Sequence, residues 1–257
     1  MITVISPAKT LDFEEQKLTR KNTTPEFLEH SEELVGQLRK APAKMLGELM
    51  SISPKLAELN HERYQRWETP FTTANAKQAL LAFKGDVYTG FDCEHWSPDD
   101  FNFAQKHLRI LSGLYGVLRP LDLIQPYRLE MGTRLNNRRG KDLYTFWGDI
   151  ITEALNTAIK KSRSLCLLNL ASNEYFGSVH PKQLDVPVVT PVFKDEKNGQ
   201  FKVISFFAKR ARGMMSNFIV RNRISSPEDL RGFDAAGYQY DPALSTEKAP
   251  VFLRDKQ

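Results

Sequence analysis

One stretch of the sequence, FFAKRARGMMSNFIVRNR over residues 206–223, combines many cations with no acid. From Gln200 through Arg223 there is no Asp or Glu, so this stretch carries +6 while the whole chain carries only +5 at pH 7. Guanidinium and ammonium groups without acidic neighbours are suited to bind phosphate. A solvated face of an amphipathic helix is the alternative interpretation. The six cations are Lys202, Lys209, Arg210, Arg212, Arg221 and Arg223.

Four polar segments of unusual composition each follow a predicted strand. In open α/β sheets, ligands bind outside the carboxyl ends of the strands. Four such loops therefore predict one cleft with several cations. The strand–loop pairs are ITVI–SPAKT, RILS–SGLYGVLRP, LCLLNL–ASNEYF and KVISFF–AKRARG, which begin at Ile2, Arg109, Leu165 and Lys202.

The residues of this predicted cleft suggest phosphate binding, with acid–base chemistry as a further option. Glu130 and Glu174 are the candidate general bases. Arg128 and Glu130 alternate on one face of a strand-like segment, as a structural pair or as part of the cleft. AKRARG is predicted at a helix N-terminus, where the helix dipole disfavours cations unless an anion offsets them. The candidate phosphate-binding side chains are Lys9, Arg119, Arg128, Lys209, Arg210, Arg212 and Arg223.

Composition excludes several classes of protein. With 41% hydrophobic and 26% charged residues, the chain is expected to fold rather than to be disordered. No apolar run approaches 18 residues, and MITVISPAK is typical of a buried strand and turn, so we expect neither a membrane span nor a signal peptide. Cys93 and Cys166 fit no disulfide framework, which predicts a reducing compartment, the cytoplasm.

The familiar catalytic and metal-binding motifs are incomplete. GDVYTG at 85–90 lacks the Lys-Ser/Thr of a P-loop, and the five histidines are scattered. The serines that precede or follow predicted strands have no obvious His–Asp partners. We therefore predict no metal site and no cofactor, and whether the chain is an enzyme stays open.

The elements that must position these residues alternate between helices and strands. This alternation predicts an α/β fold, in which a mixed β-sheet core is surrounded by helices and a basic cleft lies at the carboxyl ends of the strands. No repeat or linker divides the chain, so residues 1–257 are expected to form a single domain. Besides the strands above, we predict helices from Thr24-Pro25, over 42–50, 54–60, 74–83, 97–108 and 142–160, a hairpin of 186–193 with 200–207 around Asn198-Gly199, and a closing hairpin of 238–241 with 251–254.

Six long segments of distinctive sequence lie in order along nearly the whole chain. They are ISPAKTLD (5–12), FKGDVYTG (83–90), LRILSGLYGVLRPLDLIQPYRLEMG (108–132), GKDLYTFWGDII (140–151), NLASNEYF (169–176) and VFKDEKNGQFKVISFFAKRARGMM (192–215). Together they resemble the bacterial YaaA family. The resemblance implies a cytosolic protein of peroxide stress resistance that helps limit free intracellular iron and oxidative DNA damage. It also implies DNA binding through a positively charged cleft and a helix-hairpin-helix-like element, on an unusual α/β fold.

The nearest candidate for the helix-hairpin-helix element is Gly113-Leu114-Tyr115-Gly116. It is one residue longer than the Gly-hydrophobic-Gly of that motif, and the preceding RILS predicts a strand. If the element lies here, the backbone amides around Gly113 and Gly116 would contact phosphate.

Two functions remain in competition. The first is DNA binding by recognition of backbone and shape, since no base-reading motif is evident. The alternative is an enzyme that acts on a nucleotide or another phosphorylated substrate in the same cleft. Direct iron sequestration has little support in the sequence, and the oligomeric state, a monomer included, stays open.

Overall fold

Helices and strands alternate along the chain in the computed structural model, which describes residues 1–255. The helices are α1 (Leu28–Leu38), α2 (Ala43–Met50), α3 (Pro54–Arg66), α4 (Ala79–Ala82), α5 (Pro98–His107), α6 (Leu143–Trp147), α7 (Ile150–Ser162), α8 (Asn173–Phe176) and α9 (Ser205–Arg221). The strands are β1 (Ile2–Ile5), β2 (Thr10–Leu11), β3 (Lys77–Gln78), β4 (Phe83–Lys84), β5 (Leu108–Ser112), β6 (Gly116–Leu118), β7 (Leu123–Ile124), β8 (Leu167–Leu170), β9 (Val188–Val189), β10 (Val192–Lys197), β11 (Gln200–Lys202), β12 (Gln239–Thr246) and β13 (Ala249–Arg254).

The first sheet has five strands in the order β6-β5-β1-β8-β9. β5 and β8 run parallel to the middle strand β1, β9 runs parallel to β8, and β6 returns antiparallel along β5. Every residue of β1 and β8 is buried, as expected for apolar strands covered on both faces. The mixed sheet surrounded by helices confirms the predicted fold class.

The second sheet has four strands in the order β11-β10-β13-β12. Asn198 and Gly199, with φ of 56° and 72°, form the tight turn between β10 and β11, so the predicted turn of this hairpin is confirmed. The first strand of the hairpin is β10, not the predicted 186–193, because Val188 and Val189 form β9 of the first sheet instead. β12 and β13 form the predicted closing hairpin. Phe193 and Phe252 of the second sheet belong to the same continuous hydrophobic core as the buried apolar side chains of the first sheet.

The helix predicted over 74–83 is wrong. Lys77 and Gln78 pair with β7 instead, and only Ala79–Ala82 is helical before the chain enters β4. The N–H groups of Ala79 and Leu80 donate to the carbonyls of Asp122 (2.8 Å) and Pro120 (2.9 Å). These long-range hydrogen bonds take the place of the local ones that a helix would use.

Other predicted boundaries shift for local reasons. The helical pattern at 142–160 is two helices, since Gly148, with φ of 46°, separates α6 from α7. α1 begins at Leu28, after the predicted start at Thr24-Pro25, and the neighbouring Thr23 hydroxyl donates to Asp122 Oδ1 (2.6 Å) rather than to a helix N-terminus. KVISFF is not a strand: β11 ends at Lys202 and α9 begins at Ser205.

The remaining elements are close to their predicted positions. α2 and α5 agree within two residues at each end, and α5 starts with a capping box formed by Ser97 and Asp100. α3 extends to Arg66, beyond the predicted end. Within residues 1–255 no helix is both long and apolar enough to cross a lipid bilayer.

Candidate anion-binding site

The carboxyl ends of β1, β5 and β8 bring three of the four predicted loops to one edge of the first sheet, here called the strand edge. Ser6 Oγ, just after β1, donates to Ser172 Oγ (3.3 Å) and accepts from the N–H of Ser172 (2.9 Å), just after β8. Gly113, just after β5, lies so close to residue 129 that a Cβ on it would be 2.4 Å from the Leu129 carbonyl oxygen. The fourth predicted loop does not join them, because α9 does not follow a strand of this sheet.

Three charged side chains form a bridged ion pair at the strand edge, here called the Lys9–Glu130–Arg128 cluster. Lys9 Nζ lies 2.6 Å from Glu130 Oε2, and Arg128 Nη2 donates to Glu130 Oε1 at 2.9 Å. The side chains of Arg128 and Glu130 are only 16% and 21% exposed, whereas that of Lys9 is 63% exposed. The pairing expected between Arg128 and Glu130 is present, although their segment is not a strand.

The guanidinium of Arg128 has more donors than this contact uses. Its Nε is buried and has no hydrogen-bond partner among the described residues. A buried donor without a partner costs about 1–3 kcal/mol. The backbone around it is held firmly, since the Arg128 carbonyl accepts a hydrogen bond from the buried Tyr64 hydroxyl.

Glu174, the second candidate base, is engaged with the backbone. Its Oε1 accepts from the N–H of Gly132 (3.0 Å), which links the loop after β8 to the segment that contains the cluster. Glu174 therefore organises the strand edge in this form, and its carboxylate has one oxygen left for another donor.

Three tyrosines line the floor of the strand edge, of which Tyr127 and Tyr175 are buried and Tyr88 is half-buried. The Tyr88 hydroxyl donates to the Ser6 carbonyl (3.1 Å), and the Tyr127 hydroxyl lies 2.7 Å from Ser112 Oγ. Burial raises the pKa of Tyr88, Tyr127 and Tyr175, and for Tyr175 the Glu174 carboxylate raises the pKa further. These phenols therefore stay protonated at neutral pH.

Tyr127 and Tyr175 were not among the residues predicted from the sequence. Each is the chain neighbour of a predicted residue, Arg128 and Glu174 respectively, which is the one signal that could have found them. The space that they enclose with the Lys9–Glu130–Arg128 cluster is only about 10 Å³. This space is small, and the geometry here does not show the open basic cleft that was predicted.

The basic residues of α9 form a separate group. Lys209 and Arg210 are exposed, and neither side chain has a hydrogen bond or ion pair within residues 1–255. Arg212 is half-buried without an acidic partner in that range, and burial lowers the pKa of its guanidinium. Because α9 begins at Ser205, these cations lie in its second turn and beyond, not at its N-terminus as predicted.

α9 is joined to the strand edge by close backbone packing. A Cβ on Gly213 would be 1.8 Å from the Val87 carbonyl oxygen, and one on Gly90 would be 2.5 Å from the Met214 nitrogen. The short 3-10 turn between these glycines includes Tyr88, which contacts Ser6. This turn thus packs on α9 through Val87 and Gly90 and contacts Ser6 at the strand edge through Tyr88.

Two predicted phosphate ligands are committed to ion pairs elsewhere. Because β6 returns antiparallel along β5, Arg119 lies at the opposite edge of the sheet, where its Nη2 contacts Asp122 Oδ1 (2.8 Å). Arg223 Nη1 contacts Asp100 Oδ1 (2.7 Å), and its guanidinium lies over the Phe103 ring. The structure does not bring Arg119 or Arg223 together with the strand-edge residues.

Gly113 and Gly116 are buried in the turn between β5 and β6. Gly116 has φ of +70°, and a Cβ on it would be 2.7 Å from the Trp147 ring. This segment connects two antiparallel strands, so a helix-hairpin-helix element does not lie here. Both glycines allow close packing and do not face an open ligand surface.

Three larger grooves are lined by no predicted site residue, and one of them, of about 450 Å³, lies between α1 and the segment 65–69. A second, of about 710 Å³, lies beside α1 and the loop at 136–138. A third, of about 690 Å³, lies between the segments around 13–22 and 73–78. Among residues 1–255, no three His, Cys, Asp or Glu side chains are grouped so that they could hold a metal ion.

The family model described as peroxide stress protein YaaA matches residues 1–244 of the chain. The matched range contains the first sheet, the Lys9–Glu130–Arg128 cluster and all of α9, and it ends within β12.

Proposed function

The chain belongs to the YaaA family of peroxide stress proteins, and from this premise we propose that it protects DNA by binding it. Family membership supports a role in peroxide stress. The proposed DNA-binding surface is the basic face of α9 together with β11, and the proposed ligand is the sugar-phosphate backbone.

One observation supports this surface above others: its cations have no acidic partners. Lys202, Lys209 and Arg210 are all exposed, and their side chains make no hydrogen bond or ion pair within the described range. Phe206 and Phe207, next to them, are 56% and 38% exposed. Free cations beside exposed aromatic rings are typical of surfaces that bind nucleic acid.

We also propose that the protein helps to limit free intracellular iron and the DNA damage that iron and peroxide cause, and that it acts in the cytoplasm. The support is the family's association with peroxide stress. The test is the chelatable iron content of peroxide-treated cells that lack the chain, which should fall when the chain is restored. An unchanged iron content would contradict this part of the proposal.

DNA binding is tested by replacing Lys209 and Arg210 with alanine. Each phosphate contact contributes about 0.9 to the slope of log K against log salt concentration, so the double variant should have a slope less steep by about 1.8. The measurement is duplex DNA binding across a salt series, for example by fluorescence anisotropy.

The matched control replaces Lys160 and Lys161, two exposed cations at the C-terminal end of α7. This variant loses the same net charge as Lys209→Ala/Arg210→Ala. A difference in salt dependence between the two variants therefore shows that the position of the cations on α9 matters, and not only their charge. Equal slopes in the Lys209→Ala/Arg210→Ala variant and the wild-type protein would remove α9 from the DNA site.

The second candidate is an enzyme that acts on a nucleotide or another phosphorylated substrate at the strand edge. The Lys9–Glu130–Arg128 cluster favours it, since polar groups from the loops after β1 and β8 meet there beside an unpartnered guanidinium nitrogen. Nucleotides added as competitors in the DNA titration test it. Stoichiometric nucleotide binding that displaces DNA would favour this candidate over DNA binding.

A further inference from the structure

We infer that the Glu130 carboxylate occupies the position of an external oxyanion, and that Lys9 and Arg128 form a phosphate site that Glu130 closes. The ligand class is inorganic phosphate or the terminal phosphate of a phosphomonoester. This inference refines the second candidate function and does not depend on DNA binding by α9.

Two cations are arranged around the Glu130 carboxylate. Each carboxylate oxygen has its own cation, Lys9 on Oε2 and Arg128 on Oε1. Two cations that converge on one acidic group are the arrangement by which proteins bind phosphate. With Glu130 in place the two positive charges share a single negative charge.

The Arg128 guanidinium uses only part of its hydrogen-bonding capacity in the contact with Glu130. Nε and Nη2 of an arginine point to the same side and can donate two parallel hydrogen bonds to an oxyanion. In Arg128, Nη2 donates to Glu130 whereas Nε, although buried, has no partner. Both Glu130 oxygens are already engaged, but a phosphate group has a third oxygen that can accept from Nε.

A phosphate group can enter only if the Glu130 side chain moves, because the backbone around it is held in place. The backbone of this segment is held by the Gly132 N–H on Glu174 and by the close packing of Leu129 on Gly113. The enclosed space of about 10 Å³ holds roughly one water molecule, so a phosphate group fits only where the Glu130 side chain leaves. Lys9, with its side chain 63% exposed, marks the side open to solvent.

The decisive variant is Glu130→Gln in the full-length protein, with inorganic phosphate as the probe. Glutamine keeps the shape of glutamate but removes the competing charge. Calorimetric titration should show phosphate affinity at least about tenfold higher than in the wild-type protein. Adding Lys9→Gln to this variant should reverse most of the gain.

The control is Glu174→Gln, which removes one carboxylate from the same edge without freeing Lys9 or Arg128. It should change phosphate affinity far less than Glu130→Gln does. A folded Glu130→Gln protein, shown by circular dichroism, whose phosphate affinity equals that of the wild type would overturn the inference.

Lys9→Gln alone serves if Glu130→Gln does not fold, because the Lys9 side chain lies mainly in solvent. It should weaken phosphate binding at least about threefold, and an unchanged affinity would overturn the inference. Lys9→Gln should leave the salt dependence of DNA binding unchanged, whereas Lys209→Ala/Arg210→Ala should leave phosphate binding unchanged. If Lys9→Gln instead flattens the DNA salt dependence, the site binds DNA phosphates and the small-molecule inference is wrong.

Discussion

At the residue scale, the role of each arginine depends on whether a carboxylate reaches it. The stretch from Gln200 to Arg223 has no acid in sequence, yet Asp100, over 100 residues earlier, contacts both Arg221 (3.0 Å) and Arg223 (2.7 Å). Counting charges along the chain therefore overstates the number of free cations in this stretch. Lys209 and Arg210 are the exposed α9 cations that remain without a partner in the described structure.

Asp100 also provides a prediction about pH. Burial alone would raise its pKa, but hydrogen bonds from the Ser97 backbone and from Arg223 outweigh burial and lower the pKa to about 2. A folded-state pKa below the unfolded one contributes stability above the unfolded value, and this contribution is lost as pH falls from about 4 to about 2. Asp100→Asn should lower the free energy of unfolding at pH 7 by about 2 kcal/mol.

Urea unfolding at several pH values measures this effect. The difference between the wild-type protein and Asp100→Asn should shrink as pH falls from about 4 to about 2. Asp99→Asn, an exposed neighbour in the first turn of α5, is the control and should cost much less. A difference that is constant across this pH range would show that the Asp100 charge does not stabilise the fold.

At the element scale, local pattern predicted the elements whose hydrogen bonds are local or whose burial is complete. The structure confirms the predictions for the apolar runs of β1, β5 and β8, the Asn198-Gly199 turn and the Ser97 cap. The helix predicted across Lys77–Gln78 is wrong, because these residues pair with β7, which lies more than 40 residues further along the chain. KVISFF combines β-branched and aromatic residues that favour a strand, yet Ser205–Phe207 begins α9 with Phe206 and Phe207 exposed, so β-propensity does not decide the structure of this segment.

The packing of α9 on the turn that contains Tyr88 depends on the absence of a side chain at Gly213. A Cβ there would be 1.8 Å from the Val87 carbonyl oxygen, so the helix or the turn must shift. Gly213→Ala should lower the free energy of unfolding by about 3 kcal/mol or more. It should also weaken DNA binding if α9 is the binding surface.

Gly36→Ala is the matched control for this substitution. Gly36 lies within α1, and an added Cβ there would meet no atom within 4 Å. Alanine is the better helix former, so this variant should be more stable than the wild type by about 0.5–1 kcal/mol. The free energy of unfolding, measured by chemical denaturation, should fall in Gly213→Ala and rise in Gly36→Ala. Such opposite changes would show that close packing, not helix propensity, causes the loss of stability at Gly213.

At the scale of the whole molecule, the order of strands decides which predicted residues meet. Parallel β1, β5 and β8 bring Ser6, Gly113 and Ser172 to one edge, as the fold class predicted. Arg119 was expected at the same edge, but the antiparallel return of β6 carries it to the other one. That return depends on pairing between strands, which the residue pattern of GLYGVLRP does not specify.

The continuous core also predicts how the molecule unfolds. Phe193 and Phe252 of the second sheet belong to the same buried core as the residues of β1, so the two sheets should unfold together. The three tryptophans, Trp67, Trp96 and Trp147, all precede the second sheet, so their fluorescence does not report on it directly. Far-UV circular dichroism reports on both sheets. Urea unfolding followed by tryptophan fluorescence and by far-UV circular dichroism should therefore give the same midpoint. A second transition, seen only by circular dichroism, would mean that residues 192–254 form a separate folding unit.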